Sequence, residues 1–255
     1  MAGKNFPTGS RVNHYETIDS TNIEARRLID AGETGPLWLL ANQQTAGYGR
    51  RGAQWSQSVG DVAASFVFVS EARTDQIGQL SYAAALAVYD ALGQFSADAP
   101  LALKWPNDVL LGDAKISGLL LELVTRTDAS PVIIFGVGVN LVSAPDLADY
   151  PAAKLIDAIG EQPPSPSKFV AALDQRFLHW RTVWEKDGFG PIRTAWLEKA
   201  ARLGENILVR LPNSTLSGVF KSIDDDGALV LATDHGDELI TVGSVYFGDG
   251  HAVGD

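Results

Sequence analysis

Gln43-Gln44-Thr45-Ala46-Gly47-Tyr48-Gly49-Arg50-Arg51-Gly52-Ala53-Gln54-Trp55 follows the apolar run Leu37 to Ala41, and its reading separates two folds. Its glycines at 47, 49 and 52 formally match G-x-G-x-x-G, the signature of a dinucleotide-binding unit. That signature works when the last glycine opens a helix whose N-terminus holds a pyrophosphate. Here Ala53 to Gly60 is polar, short and followed by a strand-like run, so no amphipathic helix fits. The Rossmann reading fails on this context, and a Walker A sequence is absent. What remains is a loop whose glycines let the backbone approach a ligand. Arg50 and Arg51 offer planar donor forks shaped for carboxylate or phosphate oxygens. The stretch reads as an anion cradle or as a surface loop with two solvated arginines.

Outward from the loop, Val12 to Ile18 predicts a short strand, and Asp19-Ser20-Thr21-Asn22 offers helix caps. Thr21 with Glu24 fits a capping box, and Ile23, Leu28 and Ile29 give part of an apolar face. Leu37 to Ala41 reads as a buried strand, and Asp61 to Val69 alternates like one. Ile77 to Phe95 predicts a helix, and Leu101 to Trp105 a strand that stops at Pro106. Val109 to Leu111, the turn Gly112-Asp113 and Ile116 to Val124 read as a hairpin, with another strand over Pro131 to Leu141. Leu155 to Ile159, Phe169 to Trp184 and Ile192 to Arg202 read as helices.

From Glu205 the texture changes. Ile207 to Leu211, Leu216 to Ile223, Ala228 to Ala232 and Glu238 to Val242 are short strands joined by turn residues, the pattern of a small β-barrel or sandwich. A boundary near Leu203 and Gly204 divides the chain into domains over 1–203 and 204–255. The order of elements in the first predicts an α+β body, a largely antiparallel sheet with helices on one side.

Bulk properties narrow the function. The 255 residues carry a formal net charge of −11, opposite in sign to a generic nucleic-acid binder. There is no cysteine, hence no disulfide framework, thiol nucleophile or Cys-ligated zinc. The four histidines, His14, His179, His235 and His251, show no metal-ligand spacing. No apolar run has the length of a membrane span, and residues 1–12 hold no secretory core. A soluble cytoplasmic protein is expected.

Three further stretches carry chemistry. Lys104-Trp105-Pro106-Asn107-Asp108 places a lysine at a strand end and oxygen ligands suited to Mg²⁺ after a proline; it also reads as an ordinary turn. Lys115 begins the otherwise apolar Ile116 to Glu122 and either points to solvent or meets an anion. Gly118 in that strand removes a side chain where a ligand or a neighbouring backbone comes close. Gly136-Val137-Gly138-Val139-Asn140 thins a strand and ends on an amide that either meets a base edge or closes the strand.

Together and in this order, these stretches resemble biotin protein ligases. The markers are Asp19 to Asn22, Gln44 to Gly52 with Trp55, Lys104 to Asp108, Lys115 to Glu122 and Gly136 to Asn140, within a plan that covers residues 12–248. The resemblance implies a class II synthetase or biotin–lipoate ligase-like α+β fold with a small C-terminal SH3-like β-barrel. It implies that biotin and ATP give biotinyl-5′-AMP, whose biotinyl group passes to one lysine of a biotin carboxyl carrier protein. Ser20, Thr21, Asn22 and Gln44 would contact the biotin ring. Gly47, Tyr48, Gly49 and Arg50 would fold over its tail, with Trp55 and Gly118 in the pocket wall. Lys115 and Arg50 would be the catalytic cations, shared with an ATP site that also takes Arg51, Lys104, Asn107 and, at adenine, Asn140. Asp108 would hold Mg²⁺.

Tyr48 departs from the family, whose loop usually reads Gly-Arg-Gly-Arg. Only about a dozen residues precede the first predicted strand, too few for the DNA-binding module of many relatives, so no DNA partner and no membrane is expected. A homodimer through a sheet edge is compatible with the resemblance. Two other readings are a lipoate-type ligase and a binder that holds biotin or its adenylate without transferring it.

Overall fold

The computed structural model describes residues 4–126, 129–145 and 151–247. The outer ends of both expected domains, 1–3 and 248–255, lie outside them. A short strand β1 (Lys4–Asn5) precedes β2 (Arg11–Ile18), helix α1 (Thr21–Asp30), β3 (Leu37–Gln44) and β4 (Val62–Val69). Then come α2 (Leu80–Phe95), β5 (Leu101–Lys104), β6 (Asp108–Leu111), β7 (Ala114–Arg126) and β8 (Ala129–Val139). Helices α3 (Leu155–Ile159), α4 (Pro166–Asp187) and α5 (Phe189–Leu197) follow. The chain ends in β9 (Asn206–Arg210), β10 (Thr215–Ile223), β11 (Leu229–Thr233), β12 (Gly236–Ile240) and β13 (Ser244–Tyr246).

The first eight strands form one mixed sheet in the order β1-β2-β3-β4-β8-β7-β6-β5. Only β2 and β3 run parallel, because α1 carries the chain back between them; the other neighbours are antiparallel. The uninterrupted apolar run of β3 explains the layering. A strand apolar at every position needs cover on both faces. Trp38 and Leu40 turn to the large core beneath α2 and α4, with Phe66, Phe135 and Phe177. Leu37 and Leu39 turn the other way and meet Ala25 and Ile29 of α1. The large helices therefore lie on one side, and α1 covers the other.

Two local features seat α4. Ser165 caps it, accepting from Lys168 N at 3.3 Å, with Pro166 in its first turn. Inside the helix the buried Asp174 carboxylate accepts from Trp38 Nε1 at 2.8 Å and Ser10 Oγ at 2.9 Å, which satisfies a charge that would otherwise be costly.

The last five strands form an antiparallel sheet in the order β12-β11-β10-β9-β13. It sits against α2 and α5: Tyr82 Oη donates to Gly227 O at 2.5 Å, and the rings of Trp196 and Phe220 lie 6.4 Å apart. Strand β13 has no counterpart in the sequence reading; at three residues it is too short to show alternation. No helix among the described residues is long and apolar enough to cross a membrane.

Candidate active site

The loop after β3 is built without a long helix. Gly49 N donates to Ala53 O at 2.7 Å, Trp55 N to Gly47 O at 2.9 Å, and Tyr48 bridges Gln54. Residues Arg50–Gly52 make one 3₁₀ turn in which Arg51 takes φ +55°. This hairpin-like fold returns Trp55 onto the sheet. The ring covers Gly138: a Cβ there would lie 2.2 Å from Trp55 Cε2 and Cζ2. Gly136, two residues back, makes room for Asn22, whose Oδ1 would stand 2.4 Å from a Cβ. The glycines of β8 are the floor on which a loop tryptophan and a helix asparagine rest.

Thr21 opens α1, but the expected capping box does not form. Ser20 is the N-cap residue, and no side chain caps the helix. Thr21 turns inward instead: its N and Oγ1 donate to Gln44 Oε1 at 2.7 and 3.1 Å. Ser65 Oγ of β4 lies 2.7 Å from Thr21 Oγ1 and 2.5 Å from Asn22 Oδ1. Ser20, Thr21, Asn22, Gln44, Tyr48 and Gly49 line a cavity of ≈60 Å³ together with Trp55, Asn107, Lys115 and Gly118. That is well below the roughly 300–1,000 Å³ of ligand pockets. A larger, open cleft of ≈1430 Å³ lies elsewhere, lined by Arg73, Gln79, Arg181 and Asp225, and holds none of the expected site residues.

The cations gather at one end of this cavity. The β5–β6 hairpin pairs Lys104 with Asp108, and the β6–β7 pairing sets Asp108 opposite Gly118. Lys115 Nζ stands 2.7 Å from Asp108 Oδ1. Asn107 is held by its own amide, donating from Nδ2 to Leu119 O at 2.6 Å. Its Oδ1 accepts from Arg50 Nη1 at 3.3 Å, and Gly243 O, in the connection just before β13, lies 3.5 Å from the same nitrogen. Burial pushes the Arg50 pKa down, with Arg51 adding to it, although a guanidinium stays charged. Lys104 is 8% exposed, with Nζ 5.0 and 5.8 Å from the ring centres of Phe247 and Tyr246. Desolvation holds its pKa below the ordinary lysine value.

Two expected residues stand apart. Arg51 is exposed on the loop. Asn140 is 2% exposed and donates to Ala153 O at 3.0 Å, so its amide ties the segment before α3 rather than lining the cavity. Two residues went unnoticed in the sequence. Ser65 is a lone hydroxyl in the apolar Val62–Val69, and Glu122 is a lone carboxylate in the apolar run after Lys115; isolated polarity in a buried strand was the available signal.

Comparison with known proteins identifies the family. The Biotin/lipoate A/B protein ligase family matches residues 16–140, and the Biotin protein ligase C terminal domain matches 203–248. A biotin–[acetyl-CoA-carboxylase] ligase of Paracoccus denitrificans is 41% identical over 90% of this chain and 98% of its own length. One of Mycobacterium tuberculosis is 30% identical over 89% of this chain and 85% of its own. The solved biotin protein ligase of Aquifex aeolicus in complex with biotin and ATP superposes with a TM-score of 0.79 at 24% identity, covering 92% of this chain and 97% of that one; at this identity the likeness establishes the fold. With both of its segments matched and a relative this similar end to end, the chain belongs to the biotin protein ligases.

Proposed function

We propose that this chain activates biotin with ATP to biotinyl-5′-AMP and passes the biotinyl group to one lysine of a biotin carboxyl carrier protein in the cytoplasm. The observation that carries the reading is one cavity that joins the Thr21–Gln44 pair to the Lys115 ammonium, with Arg50 beside it on Asn107. The amide and hydroxyl groups of Ser20, Thr21, Asn22 and Gln44 suit the donors and acceptors of a ureido ring. Gly47, Tyr48 and Gly49 cover the tail, with Trp55 and Gly118 as wall.

A biotin carboxylate oxygen attacks the α-phosphorus of ATP, and pyrophosphate leaves. Two anions must meet, and Lys115 and Arg50 offset that repulsion while charge builds on the phosphoryl oxygens. The amine of the carrier lysine then attacks the mixed anhydride carbonyl, and AMP leaves. No protein nucleophile is required, and holding the reactants in line supplies much of the acceleration. Lys104 and Asn107 lie where the phosphates would sit, and Arg51, exposed on the loop, would reach them only from outside the cavity. Asn140 acts at the adenine end by fixing the backbone at Ala153.

Asp108 would hold Mg²⁺, with Asn107 beside it. Among the described residues no group of three acidic or histidine side chains is placed to hold a metal ion, and a single carboxylate fits an ion that keeps waters and shares phosphate oxygens. Bound there, the ion would neutralise phosphate charge. The catalytic unit spans 1–203 and the small unit 204–255 in this reading.

The test is ATP–pyrophosphate exchange driven by biotin or by lipoate, followed by labelling of a carrier domain. Biotin-dependent exchange with a labelled carrier is expected. Exchange with lipoate alone, or biotin retained with no label on the carrier, overturns the reading.

A further inference from the structure

Glu122 stands outside the cavity lining, yet three side chains from two separate elements converge on its carboxylate. From α1, Asn22 Nδ2 donates to Oε2 at 2.7 Å and Arg26 Nη2 to Oε1 at 2.8 Å. From the glycine loop, Tyr48 Oη donates to Oε2 at 3.1 Å and lies 3.4 Å from Oε1. The carboxylate is 16% exposed, so these bonds compete weakly with water.

We infer that Glu122 is a positioning residue that latches the glycine loop to the helix of the biotin pocket, through Tyr48 on one side and Asn22 and Arg26 on the other, and thereby governs how long an activated intermediate stays enclosed. The inference rests on the proposed function for what is enclosed, but the latch itself is present without ligand.

The chemistry of the group explains why a carboxylate is needed. An ionised carboxylate is all acceptor and takes several donors at once. The Asn22 amide is thereby oriented, nitrogen to Glu122 and oxygen toward Ser65. Arg26 supplies the compensating charge, and its own pKa is raised chiefly by this bond. The Tyr48 hydroxyl is the loop's side-chain link to the cluster, because the backbone bonds of Gly47 and Gly49 close the loop on itself. Loosening that hydroxyl frees the loop without unseating α1, which Ala25 and Ile29 anchor in their own core.

A purely structural staple between α1 and β7 would behave differently, because Tyr48 would then be incidental. The variants are Tyr48→Phe, Glu122→Gln and the pair combined. Amide hydrogen exchange over residues 47–52 is read in the ligand-free chain. The release rate of labelled adenylate, formed from biotin, ATP and Mg²⁺ and chased with unlabelled biotin, is read beside thermal midpoints. Tyr48→Phe is expected to speed loop exchange selectively and adenylate release about tenfold, equivalent to ~1.4 kcal/mol, with little change in midpoint. Glu122→Gln is expected to do the same with some loss of midpoint, and the double variant to add nothing to Glu122→Gln. Unchanged loop exchange in Tyr48→Phe, or additive effects in the double variant, overturns the latch. A wild-type chain that makes no adenylate while its loop exchange still responds to Tyr48→Phe sinks the functional reading and leaves the latch standing.

Discussion

Lys115 Nζ lies 2.7 Å from Asp108 Oδ1, and both side chains are only 12% exposed. The proposed phosphate cation is thus held, before any substrate arrives, by the proposed metal carboxylate. The pair links activity to stability, since removing one partner of a nearly buried pair leaves the other uncompensated, a loss of up to ~3–5 kcal/mol. Lys115→Ala is expected to abolish most biotin-dependent exchange and also to lower the melting temperature. Lys115→Ala combined with Asp108→Asn removes both charges, so the midpoint should recover while exchange stays lost. Recovery of exchange in the double variant would show that Lys115 acts only by offsetting the Asp108 charge, and would remove both residues from the proposed chemistry.

The Trp55 ring and the Gly138 backbone share a space that a methyl group would fill. Gly138→Ala is expected to displace the ring and raise the KM for biotin more than that for ATP, because the proposed function puts the Trp55 wall at the biotin end. Overpacking a tight site costs ~1–3 kcal/mol, enough for about tenfold or more in affinity. Titration of biotin against ATP in the exchange assay checks this; an equal rise in both constants would point to general misfolding instead.

Lys104 gives a pH signature. Its folded-state pKa is depressed below the ordinary 10.5, chiefly by burial, then countered by Asp108. Between that depressed value and 10.5 the unfolded chain binds the proton that the folded chain has released, so this group's contribution to stability rises with pH in that window. Below the folded value, wild type carries the full cost of a desolvated ammonium. Lys104→Met, which keeps the stem against Phe247 and Tyr246, should therefore match or exceed wild type in thermal midpoint near neutral pH. Its advantage should shrink as pH approaches 10.5, while its affinity for ATP falls. An advantage that grows with pH would contradict the assigned shift.

Much of this architecture is written locally. The uninterrupted Leu37 to Ala41 run foretold a buried strand, and the lack of room for a helix between Gly52 and Val62 excluded the dinucleotide fold. The capping box was misread for a physical reason. Thr21 and Glu24 have the right spacing, but Gln44 and Ser65 lie far off in sequence and compete for the same hydroxyl. Asn140 shows the same limit: its amide's partner is the backbone of Ala153, and no spacing rule predicts that bond. Glu122 was visible as a lone charge in an apolar strand, yet its partners come from α1 and the loop. Local pattern therefore located the groups, and only the sheet register brought them together.

Arg50 supplies the last prediction. Its guanidinium is half-buried against neutral oxygens of Asn107 and Gly243, and no carboxylate among the described residues pairs with it within salt-bridge distance. A desolvated cation whose direct partners are dipoles, with the Asp108 charge acting on it only beyond ion-pair distance, is costly to hold and favours the arrival of an anion. Arg50→Met should thus leave the ligand-free midpoint unchanged or slightly higher, while adenylate formation falls by roughly 10²–10³, as when one preorganised donor to a reacting oxygen is removed. The second readout is the rise in midpoint on adding biotin and ATP. A ligand bound only by the folded state stabilises it by RT ln(1 + [L]/Kd), so the rise should shrink as affinity falls. Arg50→Lys keeps the charge but loses the planar fork and should recover only part of it. If Arg50→Met lowers the ligand-free midpoint and keeps the full ligand-induced rise, the guanidinium is a strut between the glycine loop and the connection before β13, and the anion it awaits has to be sought elsewhere.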